Sequence, residues 1–273
     1  MTLQLKDLQR PGASLHELLN DLAGLIAENI THLAEDTVVR IHDIRVSTKK
    51  IRSLLRLADS EISPKQHTAL VACLRDIKNA FSGSRDEDVM RQRLNQIFPA
   101  DRAAIIESKL DLIPAGNSAA PAMNSADQAA TLLSLLATLK FETLTTSHLV
   151  ENAAAAYRRA RKLMKRCEKR PDDEIMHEWR KRVKDVCYHA LAFSSLPSQE
   201  KFANPLDAVA ESLGEYHDLA LLGARASGHK KVVNRVAAAK SKVGKRCFRA
   251  AKPLFQKPAG KFAKELDRAM RQP

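Results

Sequence analysis

An all-α fold made of two related helical halves is predicted by three features of the sequence. Apolar residues make up 44 % of the 273 and are dominated by Ala and Leu, while aromatics supply only 4 %, a composition that favours helices over sheets. Helix-opening and helix-closing residues punctuate the chain at short intervals, and strand-like alternation is nearly absent. A stretch near residue 42 recurs near residue 177, so the helices should fall into two similar units of one domain.

Ser14 with Glu17 reads as a capping box opening a first helix, on which Leu15, Leu18, Leu19, Leu22, Ile26, Ile30 and Leu33 recur at helical spacing. A second helix is expected over roughly Thr37–Asp59. Ser63-Pro64 opens a third and Ser82-Gly83 ends it, and Ser84 with Glu87 forms a capping box for a fourth, closed by Pro99. Residues 113–127, rich in Pro, Ala, Ser, Gly and Asn, read as a flexible loop. Helices are then expected over roughly 126–146, 148–170, 173–196, 199–213, 216–226 and 229–256, with stops at Pro171, Pro197, Gly214, Gly228 and Pro258. These elements form one domain over 8–271, with repeats of about 8–143 and 144–271.

Charge is distributed unevenly. The net charge is +13, yet residues 1–136 hold 16 basic and 17 acidic side chains, which leaves 29 and 15 for the remainder. An anionic polymer is the natural partner for such an excess. The four cysteines Cys73, Cys167, Cys187 and Cys247 form no C-x-x-C pair, so neither zinc nor a disulfide framework is indicated and a reducing, cytoplasmic setting is expected. No apolar run is long enough to span a bilayer.

The excess is organised into stripes. At about 100° per residue, His42, Arg45, Lys49, Arg52 and Arg56 share a sector of roughly 80°, opposite Ile44, Ile51, Leu54, Leu55 and Ala58. His177, Arg180, Lys181, Lys184 and Tyr188 likewise share a face opposite Ile175, Trp179, Val183, Val186, Ala190 and Phe193. Two further stripes comprise Arg158, Arg161, Lys162, Lys165 and Lys169, then Lys231, Arg235, Lys242, Arg246 and Arg249. Cations stacked three and four residues apart repel by tenths of a kcal/mol per pair, a cost that an anionic ligand relieves.

The first two stripes sit in the repeated blocks, His42-Asp-Ile-Arg45-Val-Ser-Thr-Lys49-Lys50-Ile-Arg52 and His177-Glu-Trp-Arg180-Lys181-Arg-Val-Lys184, which lie 135 residues apart. Each is followed by a shorter motif, Arg85-Asp86-Glu-Asp88-Val89 and Leu213-Gly214-Glu-Tyr-His-Asp218. Together they resemble the motifs of the CHAD domain, the conserved histidine α-helical domain. That resemblance implies an all-α fold of two four-helix bundles related by pseudo-twofold symmetry, with a basic groove or pore between them that binds inorganic polyphosphate. It carries a binding role onto His42, Arg45, Lys49, Arg52, His177, Arg180 and Lys184. It also suggests association with polyphosphate granules and with polyphosphate-metabolising enzymes. Two positions depart from the family pattern: Cys187 precedes Tyr188 where a basic residue is usual, and Asp185 stands where the first block has Lys50.

Polyphosphate-binding residues are therefore expected on all four stripes, including Arg56, Lys181, Arg158, Arg161, Lys165, Lys242, Arg246 and Arg249. Neither a cofactor, a metal nor a catalytic residue is expected, and no P-loop is present. Lys181 stands where a zincin would need its second histidine after His177-Glu178. Asp86, Asp88 and Asp218 fall in predicted first turns, where carboxylates meet the positive helix end and pair with Arg. Two alternatives remain open: nonspecific nucleic-acid binding, for which few stacking aromatics flank the stripes, and a phosphohydrolase using His42 or His177.

Overall fold

In the computed structural model, which describes residues 3–81, 85–112 and 124–271, eleven α-helices follow in chain order. They are α1 (Pro11–Thr31), α2 (Thr37–Leu55), α3 (Pro64–Ala80), α4 (Arg85–Ile97), α5 (Ala100–Lys109), α6 (Ser125–Ala137), α7 (Thr146–Lys169), α8 (Asp173–Ala192), α9 (Pro197–Arg225), α10 (Lys230–Leu254) and α11 (Ala259–Arg271). A 3₁₀ segment, Arg56–Glu61, continues from α2, so the α-helix expected to reach Asp59 ends one turn early. The described residues contain no strand, and the fold is all-α.

Local chemistry sets most of the helix starts. Ser63 and Gln66 cap reciprocally ahead of Pro64, and Thr145 and His148 do the same for α7. Asp36 accepts the Val39 N–H ahead of α2, and Asp172 accepts those of Glu174 and Ile175 ahead of α8. The first helix opens earlier than its capping signature suggested. Pro11 lies in its first turn, whereas Ser14 is buried inside the helix and accepts the Asp7 N–H, and Glu17 pairs with Lys6. The second such signature, Ser84 with Glu87, and the helix stop at Ser82-Gly83 lie outside the described residues, as do residues 113–123 of the expected loop.

Three boundaries differ from the sequence reading for identifiable reasons. The pair of helices expected on either side of Gly214 is one helix, α9, which also carries Pro205 without a break. Gly214 serves close approach there instead of termination, because a Cβ would come within 3.1 Å of the Arg180 guanidinium. The helix expected to run to 146 stops at Ala137. Leu139, Phe141 and Leu144 extend its apolar pattern, but they are buried from a turn whose Phe141 carbonyl lies against Gly12, where a Cβ would approach to 2.0 Å. Finally, Pro99 and Pro258, which read as stops, also precede helices. The Pro99 carbonyl accepts the Ala103 N–H of α5, and the Pro258 carbonyl accepts the Phe262 N–H of α11.

Helix packing yields two rings of four. In the first, α1 packs on α2 and α6, and α3 on α2 and α6; in the second, α7, α8, α9 and α10 pack in sequence and α10 closes on α7. Helix α4 leaves the first ring to lie on α9, and α11 covers α7. The rings meet where α2 packs on α8 and where the 3₁₀ segment packs on α7. A strap ahead of α1 also joins them: Leu3 and Leu5 are buried, and the Leu5 N–H donates to the Ala192 carbonyl at 2.8 Å.

Candidate functional site

Helix periodicity places the motif side chains. On α2, Ile44, Ile51, Leu54 and Leu55 are buried while His42 and Lys49 are exposed. On α8, Trp179, Val183, Val186 and Ala190 are buried and Lys181 is exposed. Tyr188 departs from its expected polar face. It is buried beneath the Lys184 ammonium, which stands 5.8 Å from the ring centroid, and desolvation raises the pKa of its hydroxyl.

The two motif helices meet at a polar seam. Asp185, only 7 % exposed, accepts from Arg56 at 3.2 Å and from Arg182 at 3.0 Å, and its backbone carbonyl accepts from Ser53 Oγ at 3.4 Å. His189, fully enclosed, meets the Ser53 carbonyl through Nε2 at 2.9 Å. The acidic residue that departs from the family pattern is therefore the counter-ion at the crossing of the two halves. A buried carboxylate is retained at low cost when its partners are both charged and hydrogen-bonded.

Cations crowd the same seam. Burial lowers the pKa of Lys50, the Asp43 carboxylate opposes that shift, and the Lys184 ammonium from α8 adds to it. The pKa of Arg52 is lowered by burial and by the Arg56 guanidinium, with Asp185 opposing. The like charges of Lys50 and Lys184, one from each motif block, thus oppose one another where Lys50 is partly desolvated, an electrostatic condition that favours an incoming anion.

A second cluster forms where α8 meets α9. The rings of His177 and His217 stack at 4.1 Å with 30° between planes, and His177 Nδ1 is buried without a hydrogen-bond partner. Burial lowers the His177 pKa to about 4, helped by His217, Lys181 and Arg180 and opposed by Glu178. The imidazole is neutral at neutral pH and offers a hydrogen bond, not a full charge. Asp218 is held by Arg93 of α4 at 2.9 Å, the arginine pairing expected of that carboxylate, but it does not lie in a first turn, because α9 continues unbroken through Gly214. The side chains of Arg85, Asp86 and Asp88 lie outside the described residues.

A pH dependence follows from His177. Its folded pKa lies below the ordinary value of 6.5, so the unfolded chain binds the proton more readily and stability falls as pH drops from 6.5 toward 4. Thermal melts across that window should show wild type losing more stability than His177→Asn. Equal losses would mean that His177 titrates normally.

The remaining sequence-predicted residues have diverse placements. Arg45 donates to the Phe81 carbonyl at 2.8 Å, Lys181 pairs with Glu178 at 2.6 Å, and Lys184 pairs with Asp207 at 2.7 Å. On α7, Arg158 and Lys165 are exposed, but Arg161 donates to the Phe255 and Gln256 carbonyls, satisfying acceptors at the end of α10. On α10, Lys242 and Arg249 are exposed and Arg246 pairs with Glu215. The structure packs α2 on α8, which sets Arg56 against Asp185 and Lys50 near Lys184, and places the other two stripes on separate helices of the second ring. Lys50, Arg93 and His217 were not singled out as site residues, although each lies in or next to a motif or helix the sequence had marked. Cys73, Cys167, Cys187 and Cys247 are free and buried, and among the described residues no three His, Cys, Asp or Glu side chains group as a metal site. No helix of the described residues is long and apolar enough to cross a membrane.

A family model described as the CHAD domain matches residues 13–227. Among solved structures, the crystal structure of the CHAD domain from the plant Ricinus communis is similar in fold, with a TM-score of 0.57 at 17 % identity over 100 % of this chain and 95 % of that one. No curated protein matches.

Proposed function

Because this chain belongs to the CHAD domain family, we propose that it binds inorganic polyphosphate without transforming it, through the cationic seam between α2 and α8. The observation that carries the proposal is the packing of α2 on α8, which brings Lys50 of one motif block within electrostatic reach of Lys184 of the other. A flexible chain with a charge on every unit can follow such a seam without any base to recognise. Aromatic platforms for bases are missing from the motif helix α8, since Trp179 and Tyr188 are buried. A binding role in place of catalysis is supported by Asp218, whose carboxylate is engaged by Arg93. Retention at polyphosphate granules, or delivery of the polymer to a polyphosphate-metabolising enzyme, would use the same seam.

Competition at physiological salt tests this directly. Long-chain polyphosphate should stay bound when duplex DNA or RNA is added at equal phosphate concentration, and displacement would favour a nonspecific nucleic-acid binder. Incubation with Mg²⁺ should release no orthophosphate; sustained release would point to hydrolysis.

A further inference from the structure

A cavity of about 400 Å³ opens where the end of α10 turns into α11. Helix α11 packs on α7, and the first turns of α9 form the facing wall. Both α10 and α11 lie beyond the residues matched by the family model, which end at 227, and neither motif block lines the cavity.

The turn on one side is held in place by α7. The Tyr157 hydroxyl stands 3.1 Å from the carbonyls of both Leu254 and Lys257, and Arg161, one helical turn further on, donates to the Phe255 carbonyl at 3.0 Å. The floor is aromatic. Tyr157 and Phe262 stack at 4.4 Å with 2° between planes, and Phe202 stands 5.9 Å from Phe262. A preformed space of this size with such a floor suits a small organic molecule.

The polar lining adds a sign to that molecule. Lys257 pairs with Glu265 at 2.6 Å, which leaves Arg268 as the cation of the lining without an ion-pair partner among the described residues. Gln199 is only 7 % exposed and lines the cavity, yet its side chain hydrogen-bonds to no described residue. An amide so enclosed is costly unless another molecule supplies the missing partner. It belongs to the first turn of α9, which begins at Pro197 without a side-chain cap, so the positive end of that helix lies at the same corner.

We infer that this cavity binds a small aromatic carboxylate, with its ring against Phe202 and Phe262 and its carboxylate taken by Arg268 and the Gln199 amide. A polyphosphate chain would bring many charges to a site with one unpaired cation and an apolar floor. A neutral hydrocarbon would leave Gln199 and Arg268 without partners. The inference stands independently of polyphosphate binding at the α2–α8 seam.

Calorimetric titration of the intact protein with 2-naphthoate tests it. One saturable site is expected, and the uncharged 2-naphthalenemethanol should bind about tenfold more weakly, the loss of one charge-assisted contact. Arg268→Gln, at an exposed position, should abolish that difference by weakening only the acid. Ala269→Trp, which fills the cavity, should remove binding of both, with circular dichroism confirming the fold. Polyphosphate should not displace the acid. No saturable binding of 2-naphthoate, equal affinity for the alcohol, undiminished binding by folded Ala269→Trp, or displacement by polyphosphate would each overturn the inference.

Discussion

Replacing Lys50 and Lys184 together by Gln is expected to weaken polyphosphate binding on the order of a hundredfold, because a charge-assisted hydrogen bond is worth about 1.5–3 kcal/mol and each 1.4 kcal/mol is tenfold. The two lysines come from different helices and different motif blocks, yet the charge on one lowers the proton affinity of the other. An anion bound between them relieves that repulsion and gains both contacts. Affinity should therefore fall and its salt dependence flatten together, since fewer counter-ions are released. Titrations at several salt concentrations measure both. Ala at His42 or His177 should have a smaller effect, because a neutral imidazole contributes a hydrogen bond without a charge.

The largest effect on stability is expected at Trp179. Its side chain is wholly buried and stacked on Phe248, and large-to-small changes of this kind cost about 3–5 kcal/mol. The indole N–H is buried without a hydrogen-bond partner, so Trp179→Phe loses volume but no hydrogen bond and should cost less than Trp179→Ala. Urea denaturation of the two variants gives the comparison. If Trp179→Ala unfolds at the wild-type midpoint, Trp179 does not anchor the second ring.

Helical periodicity made much of this fold legible in the sequence. The apolar faces of α2 and α8 follow from spacing alone, and Ser63-Pro64 and Asp172 mark helix starts through local hydrogen bonds. Signals with two physical meanings were harder to read. Gly214 looks like a helix stop, but its missing side chain admits Arg180 inside a continuous helix. Pro258 looks like an end and also begins α11. Leu139, Phe141 and Leu144 keep a helical rhythm although the chain turns there.

The candidate site divides in the same way. Stripes along single helices can be read from residue spacing, whereas contacts between helices cannot. Asp185 looked like a defect in the second motif block, and only the crossing with α2 shows it binding Arg56. Lys50 comes within electrostatic reach of Lys184 because two helices 135 residues apart pack together, a proximity no local pattern encodes. Arg161 belonged to a convincing stripe, yet it satisfies backbone carbonyls at the end of α10.

The most direct measurement is lysine acetylation footprinting of the intact protein, read by mass spectrometry with and without saturating polyphosphate. Bound polymer should protect Lys50 and Lys184 strongly, while Lys65, exposed in the first turn of α3, should react at an unchanged rate. Unchanged modification of Lys50 and Lys184 under conditions where polyphosphate is demonstrably bound would contradict the seam as the binding site.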